Sequence, residues 1–406
     1  MWEETGDEYD GSGLLHCLRK LELFDEAIVL ARVLIDKYPD FDWCRIEVIW
    51  TLISGTLYKL GDTEPLGKVV QTAQEIMDLN PDGLAKKMMV FKVLKSAKAS
   101  NHWEIVNKWV VNIDPTSLST EPMTDSSGRE GWSDQSLWYN YRINGLIQKG
   151  DSKEAIVLVD EILEHFPKQR KFFLRLKAFA NHRIGNLPEA EKIYQELCDR
   201  YKPDWWILHE YAKVVRETGR SENALKLMYQ AASNHPKLES MVSLFVDIGM
   251  LCKEMGQYEE ARAHLVLCKY IRNEKGWNIP ESVTDTINEL DKIIGNNDKP
   301  SSLKEALNNC RNKWEKLKEK DSDFEKLSNG SRKAKKRLIG KLRLGRSEQP
   351  FCFIYTGDEQ SFFCVKSDLP PDVREGSELI FDAIPSFDRK KDKESWKATN
   401  MRRIRK

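Results

Sequence analysis

Long apolar runs are missing from this sequence. No stretch approaches the roughly 18 consecutive apolar residues of a membrane-spanning helix, so insertion into a bilayer is not expected. Paired metal-type cysteines are missing as well. The eight cysteines (Cys17, Cys44, Cys198, Cys252, Cys268, Cys310, Cys352 and Cys364) include no Cys-x-x-Cys spacing, and their scatter over apolar positions fits free thiols in a reducing compartment. There is no phosphate loop, no Gly-x-Ser-x-Gly and no His-Glu-x-x-His. His264 and Cys268 stand four residues apart, but two candidate ligands without a second pair read as packing. Asp7 and Asp10 lack the spacing of a calcium loop. The first residues, MWEETGDEYDGSG, are acidic and carry no basic, apolar leader. These absences lead us to expect a cytoplasmic protein without catalytic residues, metal or cofactor.

Net charge is also lacking, but only in the sum. Lys plus Arg and Asp plus Glu number 64 each. Residues 301–406 hold 26 basic against 17 acidic residues, a net of +9, which leaves −9 for the first 300. A split of this kind points to a polyanionic partner, such as nucleic acid, at the basic end.

What is present first is a repeat. Residues 136–270 carry four units, each with a glycine followed five positions on by alanine: Gly150/Ala155, Gly185/Ala190, Gly219/Ala224 and Gly256/Ala261. The glycines are 35, 34 and 37 residues apart, the period of helix–turn–helix repeats. First-helix small positions hold Ile143, Ala178, Ala212 and Gly249, and larger second-helix positions hold Val159, Tyr194, Met228 and Leu265. Three earlier, less regular pairs extend the pattern to Leu14, with Glu22 standing where glycine belongs in the first. These units resemble tetratricopeptide (TPR) repeats over about residues 14–270. The chain then divides into an acidic tail (1–13), an array (14–297) interrupted by a Ser/Thr/Pro/Gly-rich loop (115–135), a charged helical linker (298–337) and a C-terminal module (338–406). Within the array, 281–294 reads as a terminal amphipathic helix. Ser302 and Glu305 read as the capping start of the linker helix.

The C-terminal module changes character. Residues 331–346 carry eight basic residues and no acid. Five short runs with strand-like alternation follow: 338–344, 351–355, 362–366, 378–384 and 396–402. Gly340-Lys-Leu-Arg-Leu344, Phe351-Cys-Phe-Ile354, Phe362-Phe-Cys-Val-Lys366 and Arg374-Glu-Gly-Ser-Glu378 resemble the strands and turns of a cold-shock or S1-like OB domain. The family's first-strand tryptophan is Leu344 here. Its strand-three histidine and next phenylalanine are Val365 and Lys366, and Pro350 and Cys352 replace two glycines. The expected fold is therefore mostly α: a TPR-type α-solenoid of helix pairs followed by a small five-stranded OB-like β-barrel.

Alternation places Phe351, Phe353 and Phe363 on the outer face of the barrel, with Cys352, Ile354, Phe362 and Cys364 inside. Exposed rings on neighbouring strands can stack unpaired bases. Lys341, Arg343, Lys366 and the cluster Arg332, Lys333, Lys335, Lys336 and Arg337 would neutralise phosphates. The array's inner face offers Asn140, Asn144, Arg175, His182, Arg183, His209, Lys213, Arg216 and Lys253, a mildly basic groove for an acidic peptide or a partner helix. The lysine/asparagine/arginine set with which some TPR domains clamp a terminal carboxylate is not reproduced. The combined expectation is a non-enzymatic adaptor that joins a protein partner to RNA or single-stranded DNA, with no membrane contact. The alternatives are a pure protein-interaction scaffold or an accessory subunit of a nucleic-acid-processing or defence assembly.

Overall fold

A computed structural model describes residues 6–404 except 62–63, 126, 202, 234–236, 296–299, 321–334, 346–348, 358–359, 372 and 389–392. The chain is mostly helical, a TPR-type array of helix pairs followed by a closed five-stranded barrel. It divides into two compact units, residues 1–176 and 177–406.

The first unit begins with α1 (Glu8–Lys20), α2 (Phe24–Lys37), α3 (Asp42–Leu52), α4 (Leu66–Asp78), α5 (Gly83–Ala99) and α6 (Trp103–Val110). The acidic start is less loose than its composition suggests. Asp7 caps α1 by accepting from the backbone N–H groups of Tyr9 and Asp10, at 2.7 and 3.3 Å. A helix thus starts six residues before the apolar period becomes visible, because its first turn needs a cap rather than a core contact. Leu15, Ala27, Ala31, Leu34 and Val48 close the first core. Val90, Leu94, Val106 and Trp109 belong to a second core, where α7 (Asp134–Lys149) brings Trp138 and Tyr141. The helix α8 (Ser152–Ile162) completes the pair.

Between α6 and α7, the segment expected to be a flexible insert or loop folds locally. Asp114 accepts from Thr116 N–H at 2.9 Å, and Gln135 Nε2 donates to Pro115 O at 2.9 Å, tying the ends together. A short hairpin, β1 (Pro122–Thr124) against β2 (Glu130–Ser133), lies between them. Its Trp132 packs at 5.3 and 5.7 Å from the rings of Phe172 and Phe173. One aromatic residue and two side-chain hydrogen bonds order a stretch whose composition reads as a loop.

The unit boundary falls within α9 (Arg170–Arg183). The second unit continues with α10 (Leu187–Arg200), α11 (Trp205–Glu217), α12 (Ser221–Ser233), α13 (Val242–Glu254), α14 (Tyr258–Glu274), α15 (Glu281–Ile294) and α16 (Leu303–Lys320). The turn closure identifies the repeat independently of sequence. Gly150, Gly185, Gly219 and Gly256 all take positive φ, between 73° and 103°. The following N–H in each case bonds back to the carbonyl five residues earlier: Asp151 to Leu146, Asn186 to Asn181, Arg220 to Val215 and Gln257 to Cys252. This is the Schellman closure, which favours glycine because a side chain at positive φ is strained. Two of the three irregular N-terminal pairs make the same bond, Leu23 to Leu18 and His102 to Ala97, with Glu22 and Asn101 at φ 58°. Glu22 therefore occupies the glycine position in conformation as well as in phase.

The small positions are where helices cross. Ala178, Ala212, Ala190, Ala224 and Ala261 are fully buried. A Cβ on Gly249 would lie 2.6 Å from Leu265 Cγ and 3.2 Å from Ala261 O, so α13 and α14 approach too closely for any side chain there.

The helix α16, which its charge marks as a linker, buries one face in this same core. Ala306, Cys310 and Trp314 are buried there. Its start is capped: Glu305 N–H donates to Ser302 Oγ at 3.3 Å, while the Glu305 carboxylate accepts from Ser301 N–H at 2.6 Å. Trp314 stacks on Phe245 at 5.9 Å and donates its indole N–H to His264 Nε2 at 2.8 Å. Four apolar or small residues at helical spacing (Leu303, Ala306, Cys310, Trp314) outweigh a high charge count, because the charges occupy the other faces.

The barrel runs β3 (Lys335–Arg343), β4 (Phe351–Tyr355), β5 (Ser361–Val365), β6 (Glu378–Asp388) and β7 (Lys393–Arg403). The strands close in the order β3-β4-β5-β7-β6, with β5 and β7 parallel and the other pairs antiparallel. Leu342, Cys352, Ile354, Phe362, Cys364, Leu379, Phe381, Ala383, Trp396 and Ala398 fill the interior.

Candidate functional site

The outer face of the barrel is built by the same alternation that builds its core. On β4, Cys352 and Ile354 are buried, whereas Phe351, Phe353 and Tyr355 are half-exposed. On β5, Phe362 and Cys364 are buried, whereas Phe363 and Val365 are half-exposed. Register brings the outward rings together, since Phe353 faces Phe363 and Phe351 faces Val365. Ring centroids lie 5.9 Å apart for Phe351–Phe353, 5.8 Å for Phe351–Phe363 and 6.1 Å for Phe353–Phe363. Three mutually packed aromatics thus lie on the outer side of a barrel that has a full core of its own.

Cations flank these rings. Arg343 on β3 pairs in register with Phe353, and Lys397 on β7 pairs with Phe363. The row across four strands therefore reads Arg343, Phe353, Phe363, Lys397. Lys341 and Arg343 are exposed, and the Arg343 guanidinium sits 4.7 Å from the Tyr355 ring centroid. Two members of this face, Tyr355 and Lys397, were not singled out from sequence. Tyr355 simply extends the alternation of Phe351 and Phe353 by one step. Lys397 reaches the face only through the parallel β5–β7 pairing, for which the sequence carries no local signal.

The basic cluster at the start of β3 is placed differently. Arg332 and Lys333 lie outside the described residues. Lys335 donates to Gln360 Oε1 at 2.7 Å, and its ammonium lies 4.7 Å from the Trp396 ring and 5.8 Å from the Phe362 ring. It covers the barrel instead of extending into solvent. Arg337 takes φ 55° at a bulge, and its N–H donates to Asp382 at 3.0 Å. Hydrogen bonds from Asn400 and then from this N–H hold the Asp382 carboxyl below the usual carboxylate range. Lys336 is exposed. Lys366 is half-buried in a short turn after β5, its N–H bonded to Pro350 O at 2.9 Å.

Five of the groove side chains of the array are matched with acids. In the second unit, His182 bonds to Glu217 at 2.8 Å, His209 to Asp247 at 2.6 Å, Lys213 to Asp247 at 3.0 Å and Lys253 to Glu289 at 2.6 Å, while Arg216 pairs with Glu254. Each pair joins the first helix of one repeat to the first helix of the next, from α9 through α11 and α13 to α15. Burial opposes ionisation of Asp247, yet the hydrogen bond from His209 and the Lys213 charge hold its carboxyl below the ordinary range. Arg183 lies over the Phe179 ring at 5.3 Å. The face expected to be mildly basic is thus a ladder of opposite charges. Its acids were invisible as partners because they sit a full repeat, 34 to 38 residues, further along the chain. In the first unit, Asn144 Nδ2 donates to Asn140 O at 2.7 Å within α7, and Arg175 is half-buried near Lys98.

His264 and Cys268 belong to the array core. His264 is fully buried, with Nε2 accepting from Trp314 and Nδ1 within 2.7 Å of Glu260 O, which fixes the neutral Nδ1–H tautomer. Burial pushes its pKa down to about 4. Among the described residues, no group of three or more His, Cys, Asp or Glu side chains could hold a metal ion, and no helix is long and apolar enough to cross a membrane.

A family model described as a domain of unknown function (DUF7017) matches residues 172–310. No curated protein matches the chain. Among solved structures, a tetratricopeptide repeat protein from Parabacteroides merdae is 13% identical, covering 70% of this chain and 98% of its own, with a TM-score of 0.40. The apo form of the quorum sensor NprR from B. thuringiensis is 11% identical, covering 80% of this chain and 90% of its own, with a TM-score of 0.42. The Cut9–Hcn1 hetero-tetramer of the APC/C is 10% identical, covering 82% of this chain and 57% of its own, with a TM-score of 0.39. Each of these is a likeness only.

Proposed function

We propose that this chain is a non-enzymatic adaptor whose C-terminal barrel binds RNA or single-stranded DNA, while its helix-pair array engages a protein partner. The observation that carries this reading is the outward cluster of Phe351, Phe353 and Phe363 flanked by Arg343 and Lys397. Stacking on aromatic rings contributes roughly 1–3 kcal/mol per base, and cations beside the rings release counterions from phosphates. A five-stranded closed barrel that uses its second and third strands in this way fits the OB type, and the resemblance to cold-shock or S1-like domains supports that reading. The array (14–297) and the barrel (338–406) are the two working parts, and one chain holding both raises the concentration of a partner near nucleic acid. We place the protein in the cytoplasm.

The charge ladder on the array bears on the kind of protein partner. A groove whose cations are already matched favours a partner helix with mixed charge over a uniformly acidic peptide, since an acidic peptide would have to displace Glu217, Asp247, Glu254 and Glu289.

Titrating the full chain into a labelled single-stranded oligonucleotide at two salt concentrations tests the nucleic-acid half. The expected result is saturable binding that weakens steeply at the higher salt. No binding at low salt would refute it.

A further inference from the structure

The aromatic cluster leaves one neighbouring feature unused. Beside β3 lies an open cleft of about 760 Å³, lined among others by Lys341, Arg343, Tyr355, Glu375 and Glu378. The outward rings of β4 lead into it. Phe351, Phe353 and Tyr355 are successive outward residues, spaced about 6.8 Å apart along the strand. A single strand stacked on Phe351 and Phe353 therefore meets Tyr355 next, at the mouth of the cleft. There the Arg343 guanidinium lies 4.7 Å from the Tyr355 ring, a planar cation beside a π-face.

The far wall carries carboxylates, which is unusual for a surface facing phosphates. Glu375 is fixed in place, because its Oε2 accepts from Leu344 N–H at 2.6 Å. Glu378 stands opposite Lys341 in the β3–β6 register. An ionised carboxylate only accepts hydrogen bonds. It repels the sugar–phosphate backbone and favours a base edge that presents amino donors. Cytosine offers its N4 amino group to such an acceptor, whereas uracil places the acceptor O4 at the same position. The volume lies within the range of small-molecule clefts and accommodates a nucleoside.

We propose that this cleft takes one base bearing an exocyclic amino group, so that the barrel prefers cytosine to uracil at one position of a bound strand. The inference rests on the nucleic-acid reading above and adds a single selective position to an otherwise electrostatic and stacking interface. Lys341 and Arg343 hold the flanking phosphates, and the two glutamates read the base.

The test compares labelled oligocytidylate and oligouridylate of equal length, and so of equal charge, on the full chain at neutral pH. Oligocytidylate is expected to bind about five- to tenfold more tightly, the discrimination of one hydrogen bond to a base. In the double variant Glu375→Gln with Glu378→Gln, oligouridylate affinity rises and the ratio falls to near one. Glutamine can still accept from Leu344 N–H, so the turn is retained. Equal affinities in the wild type, or a preference unchanged in the double variant, would overturn the cleft assignment while leaving the nucleic-acid reading standing. Failure of both oligonucleotides to bind at low salt would overturn both.

Discussion

The array and the barrel both display rows of basic side chains, yet the rows differ in what stands beside them. In the array, His182, His209, Lys213, Arg216 and Lys253 each meet a carboxylate of the next repeat. In the barrel, Arg343 and Lys397 stand in register with phenylalanines, and Arg343 lies against a tyrosine ring. The first arrangement keeps its charge within the fold, cation to carboxylate across neighbouring repeats. The second leaves it beside aromatic rings, the setting that the proposed nucleic-acid reading requires. A count of basic residues cannot tell the two apart, because the partner, and not the cation, decides the role.

The largest effect that separates the regions lies in the array core. Trp314→Ala removes a buried indole that stacks on Phe245 and donates to His264, and should cost about 3–5 kcal/mol. Urea denaturation monitored by circular dichroism would measure it, and oligonucleotide affinity of the folded protein at low urea should be unchanged. If the array instead shapes the binding face, affinity falls along with stability.

Acid provides the next contrast. Folded His264 has its pKa pushed down to about 4 by burial, against 6.5 in the ordinary state. The unfolded chain therefore binds the proton first. The stability this neutral histidine contributes is fully present above pH 6.5, is lost as pH falls towards 4, and amounts to about 3 kcal/mol. His264→Gln should flatten that part of the stability–pH curve. A loss between pH 6.5 and 4 that persists undiminished in the variant would assign it to other groups.

The smallest effect is the most discriminating for charge. Replacing Lys341 and Arg343 by alanine should lower the slope of log affinity against log salt by about 1.4, roughly 0.7 for each phosphate of a single strand left without its cation. Replacing Arg216 and Lys253 removes the same charge from the array and should leave the slope unchanged. Equal changes in the two variants would mean that nucleic acid senses net charge alone.

The repeat was legible because its signals are local. A glycine at a fixed offset from an alanine specifies both the left-handed turn and the close helix crossing, and every such position is buried or turned accordingly. The inner and outer faces of β4 and β5 were legible for the same reason, through strict alternation. The α1 cap was harder because one side chain two or three residues from its partners decides it inside an acidic, glycine-containing stretch; the hairpin anchored by Trp132 and the packing of α16 were harder because each depends on one or two residues meeting a distant partner. The charge ladder and Lys397 were out of reach, since repeat-to-repeat and strand-to-strand register are properties of the assembled fold. The same holds for the position of Lys335 over the Trp396 ring.

The central claim is that Phe353, in the middle of the outward cluster, stacks a base. Phe353→Ala in the full chain, titrated with a labelled single-stranded oligonucleotide beside a thermal melt, tests it most directly. The prediction is an affinity loss of about five- to 150-fold, the equivalent of 1–3 kcal/mol, with the melting temperature close to that of the wild type. Wild-type affinity in a folded Phe353→Ala variant would contradict it.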